Sequence, residues 1–190
     1  MQNKNEVLRQ YSTDLLSLDK QILNMVKDEA GTEEARRYPE VQQLIRTTHD
    51  KLAKVSTELE QNLSSLGGES SSMLKQAMGR VGGMVTGMAS KVEGSEKASK
   101  VLRNTYAALD AAALGSIMLH TTALAFDEKS TADVADRHFK ELAPLAVQTR
   151  EMIPSIVVRE FADEGYAVNA SAVDEFKNKA QEAWAQGPNA

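Results

Sequence analysis

Apolar residues recur three and four positions apart along most of this chain, the spacing that lines one face of an α-helix. Between residues 6 and 29 the stripe is Leu8, Tyr11, Leu15, Leu18, Ile22 and Met25, and Gly31 follows as a stop signal. A second stripe opens at Pro39, which suits a first helical turn because its missing N–H would be unpaired there anyway. It runs through Val41, Ile45, Thr48, Leu52, Val55, Leu59 and Leu66 to Gly67 and Gly68. A third helix is expected from about 96 to 126, capped by Ser95 and apolar nearly all round from Ala107 to Phe126, which predicts burial on every side. After the turn "DEKS", Ser130 with Asp133 has the form of a capping box. Val134, His138, Leu142, Leu145, Thr149, Met152 and Ile156 then carry a fourth helix to about Asp163, with Pro144 and Pro154 as bend points and Gly165 as its end. A short amphipathic helix over 171–184, containing Trp184, precedes the tail "QGPNA".

The first and second helices are joined tightly, as are the third and fourth, which predicts two antiparallel hairpins. Between the hairpins lies the 67–96 segment, where Gly79, Gly83 and Gly87 stand four apart with Met73, Met78, Met84 and Met88 among them. Glycines at that spacing offer a face for close helix approach. A connection of this length can climb the roughly 40 Å of a helix bundle at about 1.5 Å per helical residue. The expected organisation is a four-helix bundle over 1–166 with one long crossover, then a short C-terminal helix and tail over 167–190.

Four stretches carry a family resemblance: "LLSLDKQIL", "LIRTTHDKLAKVSTELEQNLSSLGG", "LRNTYAALDAAALGSIMLHTTALA" and "ADRHFKELAPLAVQTREMIPSIVVREFADEG". Over residues 5–165 they resemble the ferritin-like superfamily, and within it the YciF-type bacterial stress-associated branch. The resemblance implies an all-α ferritin-like four-helix bundle whose relatives often hold two metal ions at mid-height, and a glutamate commonly stands in the family where this chain has Asp19.

The chain lacks the Glu-x-x-His motif that such a site takes from each of two helices; its nearest approach is the reversed His138-Phe139-Lys140-Glu141. Folding the first hairpin about residue 34 sets Asp19 level with His49, so the two are expected to face one another. Folding the second about residue 128 sets Asp110 level with Ala146 to Gln148, one turn from Glu151, and sets His120 beside His138 and Glu141. Asp19, His49, Asp110 and Glu151 are therefore the reduced ligand set for iron or manganese. The competing readings are a structural ion pair for Asp19 with His49 or a lysine, and a bond from Asp110 to the Tyr106 hydroxyl. His120 lies about 15 Å along the helix from Asp110 and is read as a packing and hydrogen-bonding residue.

The absence of cysteine excludes disulfides and thiolate chemistry, and a net charge of −5 without a basic cluster argues against nucleic acid. Asp110 and His120 inside the third helix weigh against a membrane span, and no secretory signal opens the chain, so a cytoplasmic protein is expected. No phosphate loop and no nucleophile–base arrangement is apparent. Three functions follow: a non-catalytic, stress-associated or structural bundle acting as a homo-oligomer, with no cofactor, which is favoured; a metal-dependent oxidase or iron-handling protein; or a membrane-surface protein whose Gly/Met-rich segment inserts.

Overall fold

The computed structural model describes residues 3–68 and 97–185, and within them the chain is all-helical. α1 spans Lys4–Ala30, α2 Glu33–Arg37, α3 Pro39–Ser65, α4 Ala98–Ala125, α5 Lys129–Asp163 and α6 Ala172–Ala185. The apolar stripes set the four long helices: Leu8, Leu15, Ile22, Ile45, Leu52, Leu59, Leu142 and Ile156 are all buried. α1 packs on α3, α3 on α5, α5 on α4 and α4 on α1, so the four enclose one interior. The glycine face at Gly79, Gly83 and Gly87, the Ser95 cap and the Trp184 side chain lie outside the described residues.

Turn chemistry terminates the helices. Pro39 occupies the first turn of α3. Three helices end in the motif that pairs a left-handed residue with two backward amide bonds. Gly67 (φ 78°) ends α3 with Gly68 N–H donating to Leu63 O, and Gly165 (φ 85°) ends α5 with Tyr166 N–H donating to Phe161 O. Asp127 (φ 55°) fills the same place after α4, where Glu128 N–H donates to Ala123 O. This tight turn starts α5 at Lys129, without the Ser130 capping box expected from the sequence. Ser130 Oγ instead accepts from Asn62 Nδ2 of α3 at 3.4 Å.

The start of α4 is also capped differently from a local serine cap. Its N-cap is Lys97, whose side chain caps nothing. Glu160, nearly buried on α5, accepts from Ser99 N–H at 2.9 Å and from Ser99 Oγ–H at 2.6 Å, placing a carboxylate on the positive end of α4. Lys97 Nζ reaches Glu164 at 2.9 Å and lies over the Phe161 ring. At the opposite end Arg9 Nη1 donates to Gly67 O, so the described chain leaves α3 at one end of the molecule and re-enters at the other.

The third predicted helix departs from expectation in its burial. α4 packs chiefly on α5 and α1, and Leu114, Ile117, Met118 and Leu124 remain 46 to 58 % exposed on the side those neighbours do not cover. Length and composition alone would let α4 cross a membrane.

Candidate functional site

The interior is two apolar clusters with a polar layer between them. One cluster holds Leu18, Ile22, Val55, Ala112 and Leu142; the other holds Leu15, Leu16, Leu59, Leu119 and Ala135. Where the two clusters meet, each long helix contributes a buried polar residue that bonds to another: Asp19 on α1, Ser56 on α3, Ser116 on α4 and His138 on α5. Asp19, Ser116 and His138 are completely buried and Ser56 nearly so.

These four groups form one hydrogen-bonded chain. His138 Nε2–H donates to Asp19 Oδ2 at 2.9 Å, and Ser56 Oγ–H donates to the same oxygen at 3.0 Å. His138 Nδ1 lies 2.7 Å from Ser116 Oγ, which donates its proton to Ala112 O at 2.8 Å. Ser116 has one proton, so both of its contacts are satisfied when Nδ1–H donates to Oγ. The imidazole thus joins Asp19 on α1 to Ser116 on α4 across the interior. Asp19 Oδ1 has no hydrogen-bond partner among the described residues.

A serine, histidine and aspartate in contact suggest nucleophilic catalysis, but the layer is built against it. No substrate can reach a Ser116 with zero exposure, and its proton is committed to a carbonyl of its own helix. Nor does the layer suit a pair of metal ions, which needs several carboxylates and two imidazoles with free donor atoms. Here the one carboxylate and the one imidazole are bonded to each other, and the remaining positions are hydroxyls. Among the described residues no three histidine, aspartate or glutamate side chains gather where they could hold an ion.

The expected ligand set is accordingly dispersed. Asp19 is buried, but its histidine partner is His138, not His49. His49 stands on the outer side of α3, its side chain 42 % exposed, with Nδ1 3.2 Å from Asp50. The hairpin register accounts for the difference: α2 lengthens the connection, and Asp19 meets Ser56, about two helical turns beyond His49. Asp110 and Glu151 are exposed; Asp110 makes no bond to Tyr106, and Glu151 sits 4.0 Å from Arg150. His120 is half-buried and has no hydrogen-bond partner among the described residues, since Glu141 is held by Lys51 at 2.9 Å. That lysine keeps the Glu141 carboxyl below its usual range.

His138 and Ser116 carry a signal in the sequence itself. His138 falls inside the inward stripe between Val134 and Leu142, and Ser116 interrupts the run Leu109, Ala112, Leu119 and Ala123. A polar residue in a buried stripe needs a partner at the same height, and the two interruptions answer each other. A second polar cluster closes the end of the molecule where α4 begins. Tyr38 O–H donates to Asp163 at 2.8 Å beneath the Arg159 guanidinium, and Arg159 pairs with Glu40. Burial, then the bond to Asp163, pushes the Tyr38 phenol up to about 12. These contacts tie α2, α3 and α5 together.

No family model matches the chain, and no curated protein matches it. Among solved structures, the crystal structure of a protein from Xanthomonas campestris pv. campestris is similar, with a TM-score of 0.69 and 18 % identity. The match covers 86 % of this chain and 100 % of that one, and at this identity it shows a shared fold alone.

Proposed function

We propose that this chain is a ferritin-like four-helix bundle that acts by association with its own copies rather than by catalysis, in a cytoplasmic stress-associated or structural role. One observation carries the association: Leu114, Ile117, Met118 and Leu124 leave an apolar stripe open along α4. Between Asp110 and Asp127 that helix and its turn carry no acidic or basic residue other than His120, and a patch of this kind marks an interaction surface. Covering the open half of four such side chains is worth about 3–6 kcal/mol per copy. Two copies together then reach about 6–12 kcal/mol, which competes with an association cost of about 4–15 kcal/mol. The polar layer supports the non-catalytic half of the reading, because each of its four side chains is buried and bonded to a neighbour in the interior.

Light scattering tests the proposal. The expected mass at micromolar concentration is a multiple of 20.7 kDa, and Leu114→Glu with Met118→Glu is expected to bring it down to one chain. A wild-type particle of one chain would refute association, and a multimer indifferent to both substitutions would refute the α4 stripe as its seam.

A further inference from the structure

α6 packs against α5 without closing on it. Val173 is half-buried and Phe176 stays 53 % exposed, so the helix leaves its own apolar face largely uncovered. Between α6, α5 and α4 lies a groove of about 800 Å³ bounded by Tyr106, Arg150, Glu151, Pro154, Phe176 and Lys177. A second stretch of about 380 Å³ shares Arg150, Pro154 and Phe176 with it and continues along Ile153, Val157 and Val173. Both volumes fall in the range of small-molecule sites, and an apolar cleft with a few polar groups at one end is the usual form of such a site.

We propose that this groove binds a single-chain fatty acid, with the carboxylate at the wider end and the chain along the narrower one. The polar groups of the wide end are mostly donors: the Tyr106 hydroxyl, the Lys177 ammonium, the Arg150 guanidinium and, on the last turns of α6, the Gln181 amide. Glu151 is the one carboxylate there, and Arg150 stands 4.0 Å from it. Lys177 makes no ion pair among the described residues, which leaves a positive charge over in a chain whose net charge is −5. An acceptor-rich anion complements that set, and a carboxylate takes such donors in charge-assisted bonds. The narrow end is apolar apart from Arg150, which suits a hydrocarbon chain and not a second polar group. The inference is independent of association through α4, because it uses a different face.

Calorimetric titration of the full chain with sodium dodecanoate below its micelle concentration tests it. Saturable binding of one dodecanoate per chain is expected, with decanoate about tenfold weaker for its two missing methylenes. Dodecanol, which lacks the charge, should bind at least about tenfold more weakly, and Lys177→Glu should weaken dodecanoate to a similar degree. Phe176→Asp should abolish binding. Both positions are exposed on α6, so circular dichroism and the melting temperature should stay at wild-type values. The proposal is overturned by the absence of saturable binding, by dodecanol binding as tightly as dodecanoate, or by both variants binding like the wild type.

Discussion

The contact between Asp19 and His138 can be measured by a double-mutant cycle. Replacing His138 with leucine removes the Nε2 contact, and leaves the completely buried Asp19 carboxyl group with the Ser56 hydroxyl as its remaining donor. Breaking a buried pair on one side costs about 3–5 kcal/mol, because the surviving group has no water and has lost its main partner. Asp19→Leu strands the imidazole in the same way, so a similar loss is expected. In the double variant Asp19→Leu/His138→Leu neither member of the pair is left stranded. Ser116 keeps its bond to Ala112 O, and Ser56 can turn to a carbonyl of its own helix. Leucines then join the two apolar clusters on either side of the layer.

The double variant is therefore expected to unfold within about 2 kcal/mol of the wild type, in place of the 6–10 kcal/mol that additive losses would give. Urea unfolding followed by helical circular dichroism reads all four proteins. For a chain of this size each kcal/mol also moves the melting temperature by about 2–4 °C, so the single variants should melt at least about 6 °C below the wild type. Additive losses, with a coupling within about 0.5 kcal/mol of zero, would show that the two side chains do not act on each other and that the layer is no network. A His138→Leu loss below about 1 kcal/mol would equally refute the buried pair.

Other perturbations address the ends and the seams. Glu160→Ala removes both bonds to Ser99 and should cost about 1–3 kcal/mol in urea, with Glu160→Gln recovering part of it. The Tyr38 phenol is raised from 10.0 to about 12, so its contribution is full below pH 10 and lost as pH rises through 12. The wild type should lose up to about 3 kcal/mol over that window relative to Tyr38→Phe, and equal alkaline profiles of the two would contradict it. A side chain at Gly115 would start 2.9 Å from Leu15 Cδ1, so Gly115→Val should lower the melting temperature by several degrees and Gly115→Ala by less. Asp127→Gly relieves a left-handed non-glycine residue and should raise stability by up to about 1 kcal/mol; a loss would mean that the aspartate side chain sustains the turn.

The helices and most of their ends were legible because they depend on local pattern. Leu8 to Ile22, Val41 to Leu59 and Val134 to Ile156 bury the faces their spacing designates, and Gly67 and Gly165 stop their helices as expected. What stayed hidden depends on groups far apart in sequence. Nothing near Ser99 announces that Glu160, 61 residues on, will cap the helix it begins. Asp127 takes a left-handed turn where glycine would be the usual sign, so the start of α5 was misplaced. The exposed side of α4 was illegible for a related reason: composition says how apolar a helix is, whereas packing against α1 and α5 decides which of its sides is covered.

The candidate site shows how strongly such a reading depends on register. Among the histidines, His120 has the more apolar neighbours in sequence, yet it stands half-buried, while His138 in an ordinary amphipathic stripe is the one sealed inside. A fold-back point displaced by the short α2 rotates one partner out of the interior and brings another in, because each helical residue turns the chain by about 100° as it rises about 1.5 Å. His49 was thereby exchanged for Ser56 opposite Asp19, and a carboxylate expected beside an imidazole on α3 found its imidazole on α5. The need itself was readable: a carboxylate among Leu15, Leu16 and Ile22 requires a partner, since an unpaired buried charge would cost several kcal/mol. Local pattern can therefore state that Asp19 must be paired, and only the packed interior identifies with what.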